Sequence, residues 1–262
     1  MKIHASLVCH TGYRRERNED NFCFNRITMS SNGGSYAPCG CNDSNRGRSV
    51  LLGVFDGMGG YSAGDRASAI SADVAAASVE TLCVCEDVGA ELETICNKAN
   101  AAICEAMQNE DIGRMGSTAA LLCFRKGRYY LCNIGDSPVF LFRDLMLTEI
   151  SHEHTEKERY IQIHGEENLP KNKKYRLTQH LGIYPEEMEI EPYTYSDELR
   201  RGDKFILCSD GLTDMVSNEE ILKVISKDVS TMCIAKELLE RALANGGKDN
   251  ITIIVAQVGE IG

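Results

Sequence analysis

No stretch of the 262-residue chain approaches membrane-spanning length, and its first residues contain no long apolar run, so a cytosolic protein that does not enter a membrane is expected. Positive charge is short, with 28 Lys and Arg against 39 Asp and Glu and a formal net charge of -11. Nucleic acid and anionic membranes are thereby excluded as main partners, because both would repel this surface. The twelve cysteines lack the two-residue spacing of a zinc knuckle or redox motif, since Cys39/Cys41 and Cys83/Cys85 have one intervening residue. Cys9, Cys96, Cys104, Cys123, Cys132 and Cys208 fall inside apolar patterns and read as small buried hydrophobes in a reducing compartment. Histidine is also scarce, and His152, His154 and His164 lie in a polar stretch with no further ligand near in sequence. Residues 148–172 therefore read as a mobile surface segment rather than a zinc site.

What is present is an ordinary globular composition, 43% hydrophobic and 26% charged, which argues against disorder. No composition boundary divides the chain, and residues 1–262 are expected to form one domain with a sizeable core. Its centre is the apolar run 51–55, which delivers Asp56 and is followed by Gly57-Met58-Gly59-Gly60. Aspartate followed by glycine is by itself a hairpin signal. Here the glycines would also let other groups approach the backbone beside an unshielded carboxylate.

In order, strands are expected at 2–10 and 22–27, a loop or ragged hairpin at 28–48, and the central strand at 49–55. Ser62 is placed to cap a helix running to about residue 80, with Asp65 in its first turn. Val88, Leu92, Ile95, Ala99, Ile103 and Ala106 recur at helical intervals. Segments 117–124, 128–134 and 139–142 read as an antiparallel meander. Further strands are expected at 189–195, 204–208 and 251–258, and helices at 218–226 and 231–243.

Five aspartates flank these strands: Asp20, Asp56, Asp136, Asp210 and Asp249. Each alone reads as a cap or turn residue. Together, without a matching set of histidines or cysteines, they make an oxygen-rich set suited to magnesium or manganese and not to zinc.

Residues 15–20, 54–60, 116–119, 135–137, 177–178, 208–212 and 248–252 carry a resemblance, in motif order and nearly end to end, to the metal-dependent type 2C protein serine/threonine phosphatases, especially the compact bacterial members. The resemblance implies an α+β fold, an α-β-β-α sandwich of two antiparallel sheets flanked by helices. It implies two or three Mg2+ or Mn2+ ions, with Asp56 bridging two of them and Asp20, the Gly57 carbonyl, Asp210 and Asp249 completing their shells. Asp136 with Asp210 matches a weaker third metal site, and Arg15 matches a phosphate-binding, catalytic arginine. The implied reaction is attack of a hydroxide shared by two metals on phosphoserine or phosphothreonine of proteins phosphorylated by a Ser/Thr kinase, by a monomeric enzyme. Met58 stands where many relatives carry histidine, so a histidine acid is absent there. Pro138, Gln179-His180 and Glu153-His154 also depart from the usual pattern, around the third site and the flap-like segment. The alternative is a catalytically inactive pseudophosphatase serving as a signalling scaffold.

Overall fold

Strands that are apolar on both faces must be covered on both sides, and several here are. The computed structural model describes residues 2–29, 36–43, 49–59, 63–109, 113–170 and 175–260. Its strands are β1 (Ile3–His10), β2 (Asp20–Phe24), β3 (Ile27–Thr28), β4 (Tyr36–Asp43), β5 (Val50–Gly59), β6 (Met115–Ser117) and β7 (Ala119–Arg125). They continue with β8 (Arg128–Ile134), β9 (Val139–Arg143), β10 (Met146–Glu149), β11 (Tyr193–Glu198), β12 (Lys204–Cys208) and β13 (Ile251–Val258). The helices are α1 (Gly64–Ala77), α2 (Val79–Val84), α3 (Val88–Asn109), α4 (Glu156–His164), α5 (Asp210–Thr213), α6 (Asn218–Ile225) and α7 (Thr231–Ala244).

Among the described residues one sheet runs β10-β9-β12-β13-β1-β4 and the other β11-β8-β7-β5-β2-β3, with β6 attached to β5. All pairings between these strands are antiparallel. Successive strand residues face opposite ways, which builds three apolar layers. Val54, Leu207 and Ile254 pack between the sheets. Phe55 points outward to meet Ala67 of α1 and Leu92 and Ile103 of α3. Ile206 and Ile253 point the other way, onto Ile221 of α6 and Ile234 and Leu238 of α7. The α-β-β-α sandwich follows from strands buried on both faces. α6 is further fixed by a capping box in which Ser217 and Glu220 satisfy each other's backbone N–H groups, a device typically worth about 1 kcal/mol.

Several sequence expectations are corrected. Segments 117–124, 128–134 and 139–142 are not one meander: β7 and β8 pair, but β9 joins β12 and β10 in the opposite sheet. An apolar pattern on both faces cannot reveal which sheet a strand enters. Part of 28–48 is the edge strand β4, paired to β1, and an edge position tolerates Pro38, which has no N–H to give a second neighbour; residues 30–35 and 44–48 lie outside the described residues. Ser62 also lies outside them, and α1 starts from Ala63 with no side-chain cap. The 148–172 stretch contains α4, capped by the Thr155 hydroxyl. Contrary to the expectation that no segment is long enough, Gly64–Val84 reaches the length and apolarity of a membrane span. It comprises α1 and α2, meeting at Ser78, with half of its residues buried in the protein, as expected for core helices.

Candidate metal centre

The acidic positions gather where the two sheets meet at one end. Asp20 on β2 and Asp56 on β5 are directly paired across their strands, which puts two carboxylates side by side on one face. The other sheet supplies Asp210, first residue of α5 after β12, and Asp249, two residues before β13. Asp136 sits on the connection that carries the chain from one sheet to the other. The strand bearing Asp56 does not turn after it, as the sequence suggested. Gly57, Met58 and Gly59 continue β5 and pair with Ser117, Gly116 and Met115.

Two glycines are required by this assembly. A Cβ on Gly57 would lie 2.1 Å from the Gly64 carbonyl oxygen and 2.5 Å from that of Glu19, and one on Gly211 only 1.9 Å from the Asn250 carbonyl oxygen. Because each neighbour is backbone, Gly211→Ala is expected to force Asp210 and Asp249 apart. It should lower stability by about 1–3 kcal/mol, as overpacking does, and weaken manganese binding, which thermal unfolding with and without the ion would measure.

The resulting cavity, about 270 Å³, is lined by five carboxylates, Glu19, Asp56, Asp136, Asp210 and Asp249, and by the half-exposed Arg15. The Arg15 guanidinium donates to Asp249 Oδ2 at 2.8 Å. Asp56 has its carboxyl pushed well above the usual range by burial and by Asp20, Asp210, Asp136 and Asp249. Asp20 lies beneath the cavity lining. Its Oδ2 accepts from Ser209 at 2.7 Å and Thr252 at 2.8 Å, yet burial and the nearby Asp210 and Asp249 raise its pKa to about 7. Its Oδ1 is buried with no hydrogen-bond partner.

This chemistry fits divalent cations. The donors are hard oxygens, the carboxylates repel one another, and an orphaned carboxylate oxygen points to a missing positive partner. Among the described residues no three His, Cys, Asp or Glu side chains form a ready-made cage.

All five strand-flanking aspartates belong to this assembly, with Asp20 as its floor rather than its wall. His152 and His154 stack edge to face 4.9 Å apart, and neither lines the cavity. Two contributors went unread. Glu19 lines the cavity and looked like part of a charged loop. Asn250 accepts from Glu19 N at 2.7 Å and donates to the carbonyls of Thr11 and Arg17 at 2.8 and 2.9 Å. One side chain thus ties the Arg15 loop to the neighbour of Asp249, and its place beside Asp249 in a quoted motif was the available signal.

A second cleft, about 360 Å³, adjoins the first through Asp136 and Asp210 and is bounded by Glu153, Thr155 and Lys157 around the start of α4.

The sequence model for protein phosphatase 2C matches residues 15–251. The serine/threonine protein phosphatase PstP of Mycobacterium tuberculosis is 35% identical over 213 residues, 79% of this chain and 40% of its own length. The chain therefore spans less than half of that relative. The serine/threonine phosphatase stp of Listeria monocytogenes is 27% identical over 97% of this chain and 96% of its own. Among solved structures, the catalytic domain of PstP in complex with two manganese ions superposes with a TM-score of 0.80 at 30% identity, covering 99% of this chain and 100% of that one.

Proposed function

We propose, from the premise that this chain belongs to the protein phosphatase 2C family, that it is a metal-dependent serine/threonine protein phosphatase using two or three Mg2+ or Mn2+ ions. The observation that carries this reading is the cavity in which five carboxylates from both sheets face one guanidinium. Asp56 would be shared by two ions, with the Gly57 carbonyl, Asp210 and Asp249 holding them and Asp20 supporting from below. Asp136 and Asp210 would hold a weaker third. When bound, such ions supply a nucleophile from water and neutralise charge developing on the phosphoryl group.

The chain's own groups do the rest. Arg15 stands at the rim, half in solvent, where its fork can grip two nonbridging oxygens of a phosphoryl group by charge-assisted bonds. Asn250 keeps the Arg15 loop in register with Asp249. Met58, on the cavity wall, has no proton to give the departing serine or threonine oxygen. No cysteine is needed as nucleophile: Cys9, among the nearest, is buried and its thiol is pushed up to about 12, chiefly by burial.

The substrates on this reading are phosphoproteins made by a Ser/Thr kinase, and the protein acts in signalling as a monomeric, cytoplasmic, single domain over residues 1–262, away from membranes and nucleic acids. A scaffold without chemistry would have no use for a carboxylate cluster whose repulsion costs stability. The test is phosphate release from a phosphothreonine peptide. Manganese should stimulate it and a chelator should stop it, whereas release that persists through thorough chelation overturns the proposal.

A further inference from the structure

Two motifs quoted from the sequence, 116–119 and 135–137, received no role beyond Asp136 itself, and they meet at the cavity wall, which Thr118 helps to line. Thr118 holds Asp56 from both sides of the backbone. Its N–H donates to the Asp56 carbonyl at 2.9 Å, and its hydroxyl accepts from Asp56 N at 3.0 Å. The same hydroxyl shares a 2.7 Å hydrogen bond with Ser137 Oγ. Both residues are only 2% exposed, so water does not compete for that bond. The turn carrying Asp136 also rests on Thr118 through Gly135, which has φ +103°, and a Cβ there would lie 2.6 Å from Thr118 Cγ2. On its far side Gly135 is held by His154, whose N–H donates to the Gly135 carbonyl at 3.0 Å and whose Nδ1 accepts from Gly135 N at 3.3 Å.

Asp136 therefore stands between two residues that both bear on Thr118, and Thr118 bears on Asp56. Nothing in the chemistry of Asp136 as a ligand needs this. A carboxylate on a free turn could reach an ion, but it would be ordered only when the ion arrived, and that entropy would be subtracted from binding. A turn already fixed to the backbone of Asp56 presents its carboxylate at a set distance from the central pair.

We infer that Thr118 and Ser137 are positioning residues whose buried hydroxyl pair locks the Asp136 turn to Asp56, so that binding at the Asp136–Asp210 corner depends on a side chain, Ser137, that touches no ion. This rests on the reading of Asp136 and Asp210 as ligands of a weaker ion. Ser137 is the informative position, because removing its hydroxyl breaks the link while leaving both bonds between Thr118 and Asp56 in place.

The experiment is manganese titration calorimetry on the full chain in four forms: wild type, Asp136→Asn, Ser137→Ala and Thr118→Ser. The wild type is expected to show a tight phase and a weaker one, and Asp136→Asn to remove the weaker. Ser137→Ala should weaken that phase by about fivefold to tenfold, the worth of one buried hydrogen bond, and keep the tight phase within about twofold. Thr118→Ser retains the hydroxyl that bonds Ser137 and Asp56 but loses the methyl facing Gly135, and should affect the weaker phase less than Ser137→Ala does. Should Ser137→Ala fold poorly, Ser137→Cys keeps the shape with a weaker donor and should fall between wild type and Ser137→Ala. If Asp136→Asn removes the weaker phase and Ser137→Ala leaves it in place, the link is wrong while the ligand reading survives. If the wild type has no weaker phase, or Asp136→Asn does not alter it, the ligand reading falls and the inference falls with it.

Discussion

Asp56→Asn is expected to lower kcat on a phosphothreonine peptide by about a thousandfold or more, since centring two cations contributes several kcal/mol of transition-state stabilisation. The substitution keeps the side chain's shape and removes its charge. What distinguishes this loss from unfolding is the accompanying change in stability. Asp56 is paired directly with Asp20 across the sheet and is pushed up by burial and by four other aspartates, so its ionised form opposes folding when no cation is present. The neutral amide relieves that repulsion, and its NH2 group can donate to the surrounding carboxylates. In a chelating buffer the variant should therefore unfold at the same temperature as wild type or a few degrees higher, while losing the stabilisation that manganese gives the wild type. An active Asp56→Asn enzyme, or an inactive one that has lost its fold in chelator, would contradict the assignment. Asp249→Asn should give the same loss of activity, and it additionally releases Arg15 from its partner.

The second large effect is the dependence of manganese stabilisation on pH. Burial and its acidic neighbours raise Asp20 to about 7, against an unfolded value of about 3.9, so the folded chain holds this proton more tightly than the unfolded one. Its favourable contribution is complete below about pH 4 and is lost as the pH climbs through about 7. Asp56 is raised for the same causes and acts in the same direction. Cations compete with these protons and restore stability where the protons have left. At a free ion concentration a hundred times its Kd, binding adds about 2.7 kcal/mol, and this benefit should be large at pH 8 and small at pH 5. Unfolding temperatures with manganese and with chelator at both values read the difference directly. Carboxylates elsewhere whose pKa is lowered, such as Asp197 and Glu237, affect both samples alike and cancel. An equal shift at the two pH values would refute the view that these carboxylates are where the ion binds.

Much of this was legible in the sequence because the site is built from strand ends and tight turns, and glycine beside aspartate marks both. Val54 and Phe55, Ile206 and Leu207, and Ile253 and Ile254 each read as buried strand, and each pair faces two different layers. That same double burial hid the sheet to which β9 belongs. β4 and α4 were missed because an edge strand and a solvent-facing helix need no continuous apolar pattern. Glu19 and Asn250 were missed for another reason: their roles depend on bonds to residues distant in sequence, such as Asn250 to Thr11 and Arg17, and local spacing carries no record of such contacts. Asp20 was recognised, but its depth was not, because Ser209 and Thr252, which take its Oδ2, approach from the opposite sheet.

On the proposed function, that opposition has an enzymological meaning. Asp20 and Asp56 ride on one layer, while Asp210 and Asp249 ride on the other, so the span of the active centre is gauged by the girth of the side chains wedged between the layers. Val54, Phe22 and Leu207 act as spacers for a reaction they never meet. Paring one of them down would retune catalysis from inside the hydrocarbon filling, leaving every ligand chemically intact.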